Sequence, residues 1–149
     1  MAALNFSLVT AEVALAAATV KTIVQVTAPT NQRVKLKGWS VSFDGTSATA
    51  APVVCRLVRQ TTAGTMTSLT PRKGDDDIAT AIQSTGQHTA TAEPTAGDVL
   101  DTKEVHPQGG YSEKFGLGDE LLIGGGDRIG IECTAPATVN VVGSLHCEE

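Results

Sequence analysis

Aromatic residues are scarce in this sequence, which has one Trp, one Tyr and three Phe among its 149 residues. The apolar fraction of 41% therefore consists mostly of small side chains such as Ala and Val. A single copy of such a chain is expected to form a thin core, and association with further copies would bury more apolar surface. The length itself fits one domain.

Positive charge is also in short supply, because 11 Lys and Arg stand against 16 Asp and Glu. Nonspecific nucleic-acid binding depends on basic side chains that neutralise phosphates, so nucleic acid is not an expected partner. No segment approaches the roughly 18 consecutive apolar residues of a membrane span, so a membrane is not expected either. Residues 1–18 are apolar, but no basic residue precedes Lys21, which disfavours a secretory signal.

The three cysteines, Cys55, Cys133 and Cys147, are an odd number without C-x-x-C spacing. This pattern fits reduced, buried thiols better than a disulfide framework or a zinc site, and it favours synthesis in a reducing compartment. If residues 135–137 form a hairpin turn, Cys133 lies near Val139 and does not face Cys147.

What the sequence does contain is a repeated alternation of apolar and polar residues with turn signals between the segments. About eight short strands are predicted between residues 19 and 149, which indicates an all-β chain with one antiparallel β-sandwich, jelly-roll-like domain. In one segment the alternation slips at Lys37-Gly38, and a β-bulge there would return Trp39 to the buried face. The glycines at 124–126 predict a hairpin turn between two strands.

Two regions lack this alternation. Residues 1–18 have no sustained strand or helix pattern and are predicted to form an N-terminal arm, either helical or extended, that contacts a neighbouring molecule. Residues 61–97 are rich in Thr, Ala, Gly and Asp, and are predicted to be the long-loop region of the fold.

The residues that carry chemistry are not spaced as a catalytic or cofactor site. The three histidines form no H-x-H or H-x-x-x-H pair, and the aspartates at 75–77 lack the alternating spacing of a calcium loop. Ser144 lies in mid-strand without the sharp turn of a nucleophile elbow. We therefore expect no enzyme, no bound metal and no cofactor. The histidines are His88, His106 and His146.

Four segments carry a resemblance to known proteins: residues 37–45 (KGWSVSFDG), 59–65 (RQTTAGT), 88–105 and 127–131 (DRIGI). They resemble segments of small structural proteins of tailed bacteriophages and prophages, and the likeness extends over most of residues 19–149. These segments have strand and turn sequences, and none of them is a catalytic signature.

The resemblance implies a virion protein, specifically a decoration protein made in the host cytoplasm that binds the outer surface of the assembled phage head and stabilises it. In decoration proteins generally, a β domain forms trimers where capsid subunits meet, and an N-terminal arm often reaches the shell. The implied partners are the lattice of the major capsid protein and further copies in a homotrimer. Expected contact residues on the arm and near the three-fold axis are Asn5, Phe6, Leu8, Val9, Val54, Val58 and Tyr111.

Two alternatives remain open. A trimeric jelly-roll receptor-binding protein, or another accessory tail or fibre protein, would have a similar strand count but should carry exposed aromatics on its outer loops. The body of this chain has only Trp39, Tyr111 and Phe115 for that purpose. A cupin-like metalloenzyme would require at least two histidines that converge inside the barrel.

Overall fold

The strands of this protein were located in a computed structural model, which describes residues 3–45, 51–75 and 79–149. No helix occurs in these residues. The strands are β1 (Asn5–Val9), β2 (Val13–Leu15), β3 (Val20–Thr27), β4 (Val34–Phe43), β5 (Val53–Gln60), β6 (Thr65–Leu69), β7 (Arg72–Lys73), β8 (Thr85–Ala92), β9 (Ala96–Val105), β10 (Gly110–Lys114), β11 (Leu121–Ile123), β12 (Arg128–Thr134) and β13 (Val139–Glu148).

These strands form two antiparallel sheets that pack as a β-sandwich. The first sheet has the order β10-β4-β13-β1-β7, with β11 also paired to β4 and β2 to β13. The second sheet has the order β6-β8-β3-β12-β5-β9. The predicted all-β sandwich is confirmed, although it has more strands than the eight that the sequence indicated. The jelly-roll topology stays a prediction.

The predicted bulge in β4 is confirmed by the pairing with β13. Gly38 pairs with His146 and Leu36 with Cys147, so Lys37 is one extra residue on the β4 side. The extra residue shifts the alternation, and Trp39 consequently points inward and is fully buried. The prediction that Trp39 belongs to the core is therefore correct.

The N-terminal segment differs from the predicted arm. Residues 5–9 form β1 between β13 and β7, with Phe6 opposite Cys147 and Leu8 opposite Leu145. Phe6 and Leu8 are 3% and 0% exposed, so they belong to the core of the sandwich. The strand alternates correctly, but its five residues precede an alanine-rich stretch, and the pattern was too short to recognise.

The region predicted as long loops also contains strands. β6, β7 and β8 all lie within residues 61–97, and β8 pairs with both β3 and β6. β8 consists mainly of Thr, Ala and Gly, β6 has the sequence TMTSL, and β7 has only Arg72 and Lys73. Without large apolar residues at alternate positions, periodicity alone did not identify them.

The turn at residues 124–126 is not a hairpin turn. β11 pairs with β4 in the first sheet, whereas β12 pairs with β3 and β5 in the second. The glycines therefore carry the chain from one sheet to the other, and Gly126 adopts a φ of 82° that favours glycine. Residues 135–137 make a similar crossing between β12 and β13, so the expected proximity of Cys133 to Val139 as hairpin partners is wrong.

Cys133 instead lies directly opposite Cys55 on β5. Their sulfurs are 3.7 Å apart, and both side chains are fully buried as free thiols. The contact with Cys55 and burial raise the pKa of Cys133, and burial raises the pKa of Cys147 to about 12. The expectation of reduced, buried cysteines thus matches their placement.

The outer face of the second sheet is covered by polar groups. The connection from β8 to β9 spans three intervening strands, and the carboxylate of Glu93 accepts hydrogen bonds from the backbone N–H and hydroxyl of Thr22 at 2.8 and 2.7 Å. Gln60 donates to the Thr22 hydroxyl at 3.0 Å, and Gln25 donates to Gln60 at 2.7 Å. Buried polar groups are costly unless hydrogen-bonded, so this network permits the connection to pack on the sheet.

We expect Leu8→Ala to destabilise the protein by about 2–5 kcal/mol, because it leaves a cavity between the sheets. Urea unfolding followed by circular dichroism measures this loss. The control is Val9→Ala, which removes a side chain that is 54% exposed and should cost far less. Equal, small effects of the two substitutions would show that β1 is an arm outside the core.

The cysteines should be almost inert in the folded protein at pH 8, because all three are buried away from a reagent and the raised pKa values of Cys133 and Cys147 leave those two with little thiolate. A colorimetric thiol reagent should therefore react slowly with the native protein and titrate all three cysteines after unfolding in guanidinium. Fast stoichiometric reaction of any cysteine in the native state would contradict the placement described above.

Candidate functional site

The best-formed concave surface with positive charge lies on the first sheet where β1, β4, β10 and β13 meet. It is a groove of about 430 Å³. We call it the lysine groove. Its lining residues are Asn5, Phe6, Ser7, Lys37, Gly74, Lys114, Phe115, His146 and Cys147.

The bulge in β4 creates the floor of the lysine groove. Gly38 pairs with His146 on one side and with Lys114 on the other, so a residue without a side chain separates two long polar ones. A Cβ atom at position 38 would lie 2.5 Å from the backbone oxygen of Glu113. Any other residue at this position would therefore push β10 away from β4.

The groove is positively charged in a protein whose net charge is -5. The ammonium group of Lys37 contacts Asn5 Oδ1 at 3.0 Å and Glu148 Oε2 at 3.2 Å, and Lys35 contacts Glu148 Oε1 at 3.4 Å. Within the described residues, Lys114 has no carboxylate at ion-pair distance. Lys35 and Lys37 thus have the carboxylate of Glu148 as a partner and that of Glu120 nearby, and Lys114 is left to interact with an anion.

The surroundings of His146 shift its pKa. Burial lowers its pKa, and the nearby charge of Lys114 lowers it further. Its Nε2 lies 3.3 Å from the hydroxyl of Ser144, which in turn lies 2.5 Å from the hydroxyl of Ser40. In the described part of the chain no carboxylate is hydrogen-bonded to His146, so this row lacks the orienting acid of a nucleophile triad. The arrangement is suited to binding through charge and hydrogen bonds.

A turn at the rim of the groove presents an apolar side chain to solvent. It follows β10, and the N–H of Phe115 donates to the carbonyl oxygen of Lys37 at 2.8 Å. The N–H of Asp119 donates to the carbonyl oxygen of Gly116 at 3.0 Å, and Gly118 has a φ of 94°, as a type II turn requires. Leu117 at the tip is 97% exposed.

The carboxylate of Glu120 stabilises this turn. It accepts a hydrogen bond from the N–H of Gly118 at 2.7 Å. Hydrogen bonds from the N–H groups of Glu120 itself and of Gly118 lower its pKa. The exposed Leu117 is therefore held on a structured turn.

Only some of the predicted contact residues lie near the groove. Asn5 and Phe6 line it, but the side chains of Phe6 and Leu8 are buried in the core and are not available to a partner. Val9 is 54% exposed on the same sheet. Tyr111 is half-buried and packs on Trp39 with ring centroids 5.4 Å apart.

The other two predicted contact residues lie on the second sheet. Val58 points to the outer side, but it is fully buried beside the polar network described above, so the expectation that it contacts a partner is wrong. Val54 is half-buried opposite Thr134. The structure thus does not bring the seven predicted contact residues into one surface.

The sequence alone does not predict the lysine groove, because its lining residues come from β1, β4, β10 and β13 and from the segments that follow β7 and β10. The phase slip at Lys37-Gly38 was the one local signal, and it was interpreted only for its effect on the core. Leu117 lies in a G-L-G-D turn, where an apolar residue between glycines is a sign of exposure.

The metal alternatives find no support in the described ranges. No group of three or more His, Cys, Asp or Glu there is arranged to hold a metal ion. Two of the three aspartates considered for calcium, Asp76 and Asp77, lie outside the described residues. No helix in the described part of the chain has the length and apolar character needed to cross a bilayer.

Comparison of the chain with protein-family models, with curated proteins and with solved structures finds no match.

We expect the pKa of His146 to lie below its ordinary value of 6.5 and to rise in Lys114→Gln, because that substitution removes a repelling charge. Histidine ring signals followed by NMR across pH 4–9 measure it, with Lys21→Gln as the control on another sheet. An unchanged titration in Lys114→Gln would contradict the geometry of the groove.

The same pKa predicts a dependence of stability on pH. A histidine with a lowered pKa binds its proton less well in the folded state than in the unfolded chain. As the pH falls below 6.5, the unfolded chain therefore takes up the proton first and this residue destabilises the fold.

Proposed function

We propose that this protein is a non-enzymatic structural protein of a tailed-bacteriophage virion, a decoration protein that binds the outer surface of the assembled head. The resemblance of residues 37–45, 59–65, 88–105 and 127–131 to small phage virion proteins is the starting point of the proposal. Its localisation on the head and its assembly as a homotrimer belong to the same proposal.

The observation that carries the proposal is the difference between the two outer faces of the sandwich. The connection between β8 and β9 covers part of the second sheet, with Thr22, Gln25 and Gln60 buried beneath it, whereas Val99 on the same sheet is 46% exposed. The first sheet exposes an open face of short polar side chains beside the lysine groove. A broad, open sheet face on a stiff two-sheet domain suits attachment to another large surface better than enclosure of a small molecule, which needs a deep pocket.

Such a protein would stabilise a shell by mass action. A ligand that binds the assembled lattice and not the free subunits adds RT ln(1 + [L]/Kd) per site to the stability of the assembly, about 2.7 kcal/mol at a hundredfold excess over Kd. This role requires no catalytic group and no cofactor. It requires a domain that does not deform, and long-range strand pairing in two packed sheets meets that condition.

The core bears on the proposed trimer. One chain already buries a continuous apolar cluster that includes Trp39, Leu57 and Ile131. Trimerisation is therefore not needed to complete the core, and the proposal of a trimer depends on the resemblance alone.

The placement of the aromatic residues supports receptor binding less well than it supports decoration. Phe6, Trp39 and Phe43 are buried, and Tyr111 and Phe115 are half-buried. Recognition of glycans and proteins commonly uses exposed aromatic side chains, and all five aromatics of this chain lack that exposure.

Co-sedimentation with phage heads tests the proposal. We expect the protein to bind DNA-free, expanded heads to saturation at a fixed copy number, and light scattering should show a trimer in solution or on the shell. Free capsid subunits serve as the control and should not bind. The proposal would be contradicted by a monomer that does not bind the head of any tailed phage tested, including phages that infect the host from which the gene comes.

A further inference from the structure

The lysine groove and the turn that carries Leu117 form one continuous surface. Phe115 lines the groove, its backbone is bonded to Lys37, and Leu117 follows two residues later at the rim. We propose that this surface binds an acidic segment of a partner protein that also carries an apolar side chain. Identification of the partner as the capsid lattice rests on the proposed function, whereas the chemistry of the surface is argued from its own residues.

The acidic character of the partner follows from the unbalanced lysines. Lys35 and Lys37 pair with the carboxylate of Glu148 and also lie near that of Glu120, whereas Lys114 has no carboxylate at ion-pair distance in the residues that the structure describes. A carboxylate placed over Gly38 would lie between Lys114 and His146. It would pair with Lys114 and reduce the repulsion that, in addition to burial, lowers the pKa of His146.

The apolar character of the partner follows from the turn. Leu117 is 97% exposed and Leu122, which pairs with Lys35 in the next strand, is 48% exposed. The turn is held by the Asp119–Gly116 hydrogen bond and by the carboxylate of Glu120, so little conformational freedom would be lost when Leu117 is buried. Burial of a preorganised apolar side chain adds apolar area to an interface at a small cost in conformational entropy.

The same surface disfavours a nucleic-acid partner. The protein has a net charge of -5, and only a few basic residues border the groove. Phosphate backbones are usually bound by a continuous stripe of basic residues, and an apolar side chain at the rim has no partner on them. Alternating carboxylate and aliphatic side chains match the surface better.

The first experiment uses a defined probe in place of a shell. An acetylated and amidated peptide of alternating Glu and Leu is titrated into the labelled full-length protein, and NMR follows the amide signals and the ring signals of His146. We expect shifts confined to the groove and the turn, an increase in the pKa of His146, and weaker binding at high salt. An all-Ser peptide of equal length should have no effect.

The second experiment uses charge reversal and loss of the apolar side chain. Lys114→Glu and Leu117→Asp should each weaken binding of the peptide about tenfold or more. The matched controls, Lys21→Glu and Val99→Asp, make the same changes on the second sheet and should bind as the unmodified protein does. Thermal unfolding of every variant verifies that the fold is retained. We expect it to be retained because position 114 ends a strand and the side chain of Leu117 contacts solvent.

The shell assay then separates the two proposals. If heads bind the protein and Lys114→Glu or Leu117→Asp abolishes binding, both proposals are supported. If heads do not bind but the peptide does, decoration is contradicted and the surface chemistry is supported. If the peptide does not bind, or if both variants bind peptide and heads as well as the controls do, this inference is overturned.

Discussion

One extra residue in β4 determines both faces of the first sheet. Lys37 has no partner of its own on β13, and the shift that it causes places Trp39 in the core and leaves Gly38 between His146 and Lys114. Without the bulge, every side chain after Lys37 would point to the opposite face, because the alternation of a strand has a period of two. The buried aromatic and the open groove are therefore two results of the same backbone irregularity.

The outer faces of the two sheets differ in whether the chain itself covers them. On the second sheet, Gly130 leaves space for the amide of Gln60, which a Cβ atom would approach to 2.4 Å. The resulting polar network lets a connection cross the strands and close that face. The first sheet has no such covering in the described residues, and the lysine groove lies open on that face.

Sequence patterns succeeded where one strand carried its own signal. β3, β4 and β5 were recognised from alternating Val, Ile and Leu, and the bulge was located from a change of phase. The pattern of residues 1–18 predicted an arm because only Phe6 and Leu8 mark the inner side of β1, and the pattern of residues 61–97 predicted loops because large apolar residues do not alternate along β6, β7 and β8. The glycine turn at 124–126 was recognised as a turn, but whether a turn joins paired strands or different sheets is a matter of long-range pairing.

The sequence by itself determined that this chain is an all-β protein with buried thiols and without a spaced catalytic motif, because strand periodicity and motif spacing are local properties. Only the tertiary structure decided that Cys55 faces Cys133, that β1 closes the first sheet, and that Lys37, Lys114 and His146 border one groove. Those residues are far apart along the chain, and the register of antiparallel strands, which depends on the packing of both sheets together, is what brings them within contact.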